Sequence, residues 1–503
     1  MTARTLPGKR VFGVIGGLGA LAGADVLFKL IQASKARSGA EHFDIVFEQH
    51  PLRNASASRA ATTERKLYIF DMIRDFERRG VTTVLLPCFL SHTFIGELQE
   101  NVSVQIVDMV EALREHVARC FPSVRRIGVL TSNYIRNEHL FERYFSAPEF
   151  EVLHPRGSVL GDVDPVATAV YGDGDIKSGE LNGRPVEQLR EACLDLIAQG
   201  AELILPGIAE IGLVADQIGP LCVPIVDSNL VYAQYAVAGQ SDTRYRMFKV
   251  GVVGGVGPAA TVDFMQKLVL STPATRDQEH IKLLVEQNPQ IPDRTENLLG
   301  DGPDPTVSLY ATCKKLEAGD VDIIAIPCNT AHAFVERIQP YLNVPIVNML
   351  TVSVEYLRAA FPELREVGLL ATTGTIMSGV YRKALEARGL RQVVPSDALQ
   401  TRVMNAIYGE RGVKAGFSAG ECIDDVTAAV DELSERGVEV ILLGCTELPL
   451  LLPRREVRSG SGGVVRLVDP TDILAKRCVA YALGEVGVGA GLRRPEERGV
   501  AHR

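Results

Sequence analysis

The sequence has no excess of basic residues: 53 Lys and Arg face 62 Asp and Glu, giving a net charge of -9 at pH 7. A field of that sign does not attract nucleic acid or an anionic membrane surface. No apolar run reaches the ~18 residues that a spanning helix needs. The opening segment MTARTLPGKRVFGVIGG lacks the charged leader, long apolar core and small-residue cleavage site of a signal peptide, so a cytoplasmic protein is expected. The nine cysteines include no CxxC pair, which argues against a secreted disulfide framework or a zinc ribbon. Most should be buried thiols, and any with chemistry must be picked out by context.

What is present is a 503-residue chain with 46% apolar content, enough to bury more than one core. With no basic field and no membrane segment, the expected partner is a small molecule.

The chain repeats itself. VFGVIGGLGALAGADVLFKL (11 to 30) returns as KVGVVGGVGPAATVDFMQKL (249 to 268), and LLPCFLSHTF (85 to 94) as AIPCNTAHAF (325 to 334). FPSVRRIGVL (121 to 130), AVYGDGDIKSG (169 to 179) and AELILPGIAEI (201 to 211) return in the same order as FPELREVGLL (361 to 370), AIYGERGVKAG (406 to 416) and VEVILLGCTEL (438 to 448). The near-constant offset means a duplicated domain, joined through the polar stretch 236 to 246.

Within each half, short β-branched runs such as VDIIAI (321 to 326) and VEVILL (438 to 443) alternate with helical-period stretches such as DDVTAAVDELSERG (424 to 437). That alternation predicts an α/β fold with buried parallel sheets. Each copy reads as two Rossmann-like lobes with a cleft between them. The expected domains are 9–240, with lobes of about 9–120 and 121–228, and 247–483, with lobes of about 247–360 and 361–483. The tail 484–503 is expected to be disordered.

Two strands of the second half end in polar tripeptides, Cys328-Asn329-Thr330 and Cys445-Thr446-Glu447. Ligands of open α/β sheets sit at strand carboxyl ends, so the two should face each other across a cleft. A lone cysteine ending a strand is ordinarily inert packing. Two in matched contexts, each followed by carboxylate-binding side chains, point to chemistry. A thiol at a helix N-terminus is favoured as thiolate. Removing a proton from one face of a carbon and returning one to the other needs two such groups in unlike protonation states. The loops Gly16-Gly17-Leu18-Gly19 and Gly254-Gly255-Val256-Gly257 lack the third glycine of a dinucleotide fingerprint. Cys328 and His332 alone fall short of a zinc site, and His332 is expected on a helix surface or behind the site.

The second half carries GGVGPAAT (254 to 261), NPQIPDRT (288 to 295), PCNTAH (327 to 332), LLATTGT (369 to 375), IYGERGVKAG (407 to 416) and LGCTEL (443 to 448). In these motifs and their order it resembles the aspartate/glutamate racemase superfamily, and Glu447 and the PDRT segment favour the aspartate branch. The resemblance implies a racemase of an acidic amino acid with Cys328 and Cys445 as acid/base pair, and no pyridoxal phosphate, metal or nucleotide. It implies that Asn329, Thr330 and Thr446 hold the α-carboxylate with backbone amides of the glycine loop around Gly255, and that Thr373 joins them. It implies that Arg294 and Lys414 take the side-chain carboxylate, the guanidinium by a two-pronged grip.

The first half keeps Cys88 and Lys177, but Phe89-Leu90 replace Asn-Thr, and Ile208 and Ala209 stand at the places of Cys445 and Thr446. The segment matching NPQIPDRT reads HPLRNASA (50 to 57), with Arg53 out of register. One thiol without an opposite acid cannot run a two-base reaction. The first copy is therefore expected to be a non-catalytic partner that reproduces a dimer within one chain; further homo-oligomers stay open. A one-base decarboxylase or isomerase acting on another dicarboxylate, and an amino-acid-binding pseudo-enzyme, also remain open.

Overall fold

The computed structural model describes residues 10–34, 42–51, 59–156, 165–172, 175–239, 247–300, 302–460 and 462–487, the side chains of 59–61 and 165 excepted. The chain divides into two compact units, Met1–Arg246 and Met247–Arg503. The expected junction lies outside the described residues from 240 onward, and the expected tail from 488 onward. No helix among the described residues is long and apolar enough to cross a membrane.

In the first unit, β1 (Val11–Ile15), β2 (Asp44–Glu48), β3 (Thr83–Leu85) and β4 (Gln105–Ile106) form a parallel sheet in the order β2-β1-β3-β4. A second sheet holds β5 (Arg126–Leu130), β6 (Glu151–Leu153) and β7 (Leu203–Pro206) in the order β6-β5-β7. The second unit repeats this plan. Its first sheet, of β8 (Lys249–Gly254), β9 (Lys282–Gln287), β10 (Ile323–Ala325) and β11 (Ile346–Val347), runs β11-β10-β8-β9. Its second sheet adds β12 (Glu366–Leu370), β13 (Arg391–Val393), β14 (Val440–Leu443), β15 (Glu456–Arg458) and β16 (Val464–Val468) in the order β13-β12-β14-β16-β15. Each copy thus has the two lobes expected. The pairing of β15 with β16 is antiparallel, against the expected parallel pattern. Where β14 pairs with β16, the first unit keeps only a bridge between Ile204 and Ile225.

Helices on both faces explain why the central strands are unbroken apolar runs: Val250, Val252, Val253, Ile323, Ile324, Leu369, Leu370, Ile441 and Leu442 are all solvent-free. The scaffold repeats down to single side chains. Lys267 bridges Asp263 and Asp469 at 2.5 and 2.6 Å, as Lys29 bridges Asp25 and Asp227 at 2.7 and 2.8 Å. Each of these lysines ties the first helix of its unit to the N-cap of the last. Asn348 caps Met349–Ala360 by accepting from two backbone N–H groups, and Asp108 does the same for Met109–Cys120.

Within the second unit, β8 lies between β9 and β10, and β12 lies between β13 and β14. The chain reverses direction across the sheet at those two places, and a crevice opens at the strand carboxyl ends there. The loops after β8 and β10 flank the first crevice, and those after β12 and β14 the second. These four loops carry four of the motifs singled out above, GGVGPAAT, PCNTAH, LLATTGT and LGCTEL; NPQIPDRT follows β9, and IYGERGVKAG closes the helix Asp397–Tyr408 and runs on from it.

Candidate active site

A cleft of about 260 Å³ in the second unit is lined by Arg294, Cys328, Asn329, Thr330, Lys414, Cys445 and Thr446, together with Val256, Thr295, Thr372, Tyr408 and Glu447. Seven of the nine second-half residues expected at the site meet here. Gly255 and Thr373 do not line it. Gly255 works through its backbone: its φ is +87°, and an added Cβ would come within 2.3 Å of the Asn288 carbonyl carbon. The Thr373 hydroxyl accepts a 3.2 Å hydrogen bond from Gln400, and its backbone N–H faces the Met404 sulfur. The adjacent Thr372 reaches the cleft instead.

The two thiols have opposite neighbours. Cys445 Sγ donates to Glu447 Oε2 at 3.0 Å. Burial, then the Glu447 charge, pushes the Cys445 thiol well up, and Lys414 only partly opposes this. Burial by itself would raise Glu447, but the Lys414 charge and the hydrogen bonds from Lys414 and Cys445 prevail and hold it below the usual carboxylate range. Cys445 is therefore a protonated thiol pointing at a carboxylate. The helix following it, Leu448–Leu451, is a single turn, so the helix-dipole route to a thiolate expected from sequence does not operate here. Cys328 has the contrary neighbour, the positive charge of the buried Arg294 guanidinium, which lines the same cleft.

Lys414 donates to Glu447 Oε1 at 2.8 Å and lies over the Tyr408 ring, 5.1 Å from its centroid. The expectation that Lys414 grips a substrate carboxylate is thereby revised, because its charge is already matched by Glu447. Gly257, at φ +112°, gives Glu447 its room: a Cβ there would approach Oε1 to 2.6 Å.

The polar wall is held from behind. Tyr381 donates to Asn329 Oδ1 at 2.5 Å, and the buried Asn329 Nδ2 has no partner among the described residues. Arg294 Nη1 donates to the carbonyls of Ile291 and Pro292, leaving the buried Nε unpartnered. Thr330 shares its hydroxyl with Thr372 and Thr375 at 3.3 and 2.7 Å, and Thr295 donates to Thr372 at 3.1 Å. Unsatisfied buried donors are costly, so Asn329 Nδ2 and Arg294 Nε mark where an anionic ligand belongs.

His332 is buried rather than on a helix surface. Its Nε2 accepts from Met349 N–H at 3.0 Å, so Nδ1 carries the proton and donates to the Cys328 carbonyl at 2.9 Å. Burial lowers its pKa to about 4, which keeps it neutral, and with both nitrogens engaged it positions the Cys328 loop and is not free as a metal ligand. Thr295, Thr372 and Tyr408 fall inside motifs read from sequence, but nothing in their residue types marks them. The packing of Arg294–Leu299 against Thr373–Ser378 brings Thr295 to Thr372, and Tyr408, at the end of the helix Asp397–Tyr408, donates to Asp293 Oδ2 at 3.1 Å.

In the first unit half of this machinery persists. Lys177 lies 5.1 Å from the Tyr171 ring centroid, as Lys414 does from Tyr408. Glu210 is buried and would meet a Cβ on Gly19 at 2.4 Å, as Glu447 would on Gly257. The other half is rebuilt. At the places of Asn329 and Tyr381 stand Phe89 and Phe141, stacked at 5.6 Å, so one buried polar pair is exchanged for one aromatic pair. Replacing Cys88 with serine should leave the activity of the chain within about twofold of the parent, since the first unit keeps one thiol with no acid opposite it; a steady-state assay checks this.

A family model described as Asp/Glu/Hydantoin racemase matches residues 15–236 and again 253–478. The broad specificity amino-acid racemase RacX of Bacillus subtilis is 26% identical over 240 residues, 46% of this chain and 98% of its own. A glutamate racemase of Geobacter metallireducens is 30% identical over 187 residues, 36% of this chain and 63% of its own. Among solved structures, the aspartate racemase of Picrophilus torridus aligns at 28% identity over 47% of this chain and 94% of its own, with a TM-score of 0.41.

Proposed function

Because the chain belongs to the Asp/Glu/hydantoin racemase family and carries its domain twice, we propose that it interconverts L- and D-aspartate in the cleft of the second unit, using Cys328 and Cys445 and no cofactor. The observation that carries this reading is the unlike pair of thiols in one cleft, Cys328 beside a guanidinium and Cys445 bonded to a carboxylate. One turnover needs a base on one face of Cα and an acid on the other. Cys328 takes the proton in one direction while Cys445 delivers its own, and the roles exchange in the other.

Asn329 Nδ2 and the hydroxyls of Thr330 and Thr446 hold the α-carboxylate. Arg294 grips the side-chain carboxylate, and its charge stabilises the carbanionic character that develops at Cα. Lys414 contributes indirectly by fixing Glu447, which orients the Cys445 proton. Aspartate is preferred to glutamate in this reading on account of Glu447 and the PDRT segment, the two sequence features of the aspartate branch. The first unit is a non-catalytic partner of the second, and the protein works in the cytoplasm.

The test is Cα-hydrogen exchange in D2O with L- and D-aspartate and then glutamate, using the purified full chain without added cofactor. Exchange with inversion, faster for aspartate, is the expected outcome. Absence of exchange with either acid overturns the racemase reading and points to decarboxylation, another isomerisation or binding alone.

A further inference from the structure

The strands of the first unit also end in a crevice, and a buried cation stands over it. Arg65, in the helix Arg59–Arg78, is 5% exposed, and its Nε and Nη1 atoms are buried without a hydrogen-bond partner among the described residues. Arg65 falls on the inward stripe of that helix with Ile69, Ile73 and Phe76, all fully buried against Ile15 and Leu86 at the ends of β1 and β3. The helix follows β2 and returns antiparallel to the strands, so its first turns lie at the strand carboxyl ends. One turn beyond Arg65, Tyr68 donates to the His50 carbonyl at 2.6 Å and would collide with a Cβ on Gly17, which fixes this end of the helix against the glycine loop after β1. Thr62 Oγ1 and the Tyr134 hydroxyl share a 3.3 Å hydrogen bond, so the start of this helix touches the helix after β5, as Thr295 touches Thr372 at the start of the helix after β12. Arg65 lies within one turn of that contact, as Arg294 adjoins Thr295 in the second unit, although the two arginines come from different positions in the sequence.

Buried guanidinium nitrogens without partners are expensive, and no described residue hydrogen-bonds Nε or Nη1 of Arg65. We propose that the first unit binds a small organic monocarboxylate with an apolar body, anchored by Arg65 at the crevice where β1 and β3 end. The carboxylate supplies the missing partner for Nε and Nη1 in a two-pronged grip. The apolar body follows from what replaces the polar wall: Phe89, Leu90, Ile208 and Ala209 stand where Asn329, Thr330, Cys445 and Thr446 stand in the second unit. A second carboxylate on the ligand is disfavoured, because Asp175 and Glu210, both buried in the second lobe of this unit, already share the cation Lys177 beside Glu210. No chemistry is assigned to the site; it is a binding site.

The experiment is calorimetric titration of the full-length protein with phenylpropanoate, hexanoate and succinate, in excess L-aspartate to occupy the other cleft. The same titrations are run on Arg65→Met and Arg294→Gln, with thermal unfolding of each. Phenylpropanoate or hexanoate should bind the parent, at least tenfold more tightly than succinate, and raise its unfolding midpoint. Arg65→Met should weaken that binding at least tenfold and, having lost an unpaired buried charge, unfold no lower than the unliganded parent; Arg294→Gln should bind as the parent does. Failure of both monocarboxylates to bind, equal binding by Arg65→Met, or loss of binding in Arg294→Gln would each overturn the proposal. A lowered unfolding midpoint for Arg65→Met together with no ligand-induced shift in the parent would make Arg65 structural and overturn it too.

Discussion

Cys445→Ser should reduce racemisation of aspartate by about 10³-fold, within the range typical of a lost general acid or base, while leaving a one-sided exchange. Serine keeps the shape and a hydrogen bond to Glu447 but is a far weaker proton donor and acceptor than a thiol. The variant still has Cys328 beside Arg294 to remove a proton from one face, so it should wash deuterium into one enantiomer without inverting it. Cys328→Ser should show the mirror result, with exchange confined to the other enantiomer. Chiral chromatography of the product combined with mass detection of deuterium separates the two outcomes. Equal residual exchange in both enantiomers, from either variant, would mean that the thiols do not act from opposite faces.

Lys414→Met should lower the stability of the second unit by about 2–3 kcal/mol at neutral pH, somewhat below the usual cost of removing one member of a buried pair because Lys414 remains a quarter exposed. The sign with pH is specific. In the parent, Glu447 titrates below the usual carboxylate range, so its stabilising contribution is present at neutral pH and is lost only as the pH falls through that lowered value. Without Lys414, burial dominates and Glu447 shifts upward. The folded variant must then hold an unpaired carboxylate or bind a proton that the unfolded chain does not. The deficit against the parent should accordingly be greatest at neutral pH and narrow in acid, once Glu447 is protonated in both states. Calorimetric unfolding from about pH 8 to about pH 4 measures it. A deficit that does not change with pH would place the loss in packing against Tyr408 instead of in the ion pair.

How legible this was in the sequence depends on what each residue answers to. The duplication, the alternating elements and the two cysteines at strand ends follow from local pattern, since strand ends carry ligands whatever the loops contain. Arg294, Asn329 and Thr446 came into view because their motifs keep a fixed distance from those ends. The roles of Lys414 and Glu447 were not readable, because two charges 33 positions apart must be seen 2.8 Å apart before one is known to cancel the other. Thr373 was chosen over Thr372 for a related reason. Which of two adjacent hydroxyls faces inward is settled by the cap that Thr372 makes to Thr375 N–H, and that needs a known helix start. Arg65 could not be singled out from sequence, because its burial and its unpartnered nitrogens appear only once the helix Arg59–Arg78 is packed.

The exchange of Asn329 and Tyr381 for Phe89 and Phe141 bears on whether the first cleft could be returned to catalysis. An amide facing a phenyl ring, or a phenolic hydroxyl facing one, is a buried polar group with no partner, so either single reversion passes through a form less stable than both ends. Reversion also requires a thiol at Ile208 and hydroxyls at Leu90 and Ala209. The first unit thus sits in a valley of its own, several coordinated steps from its twin.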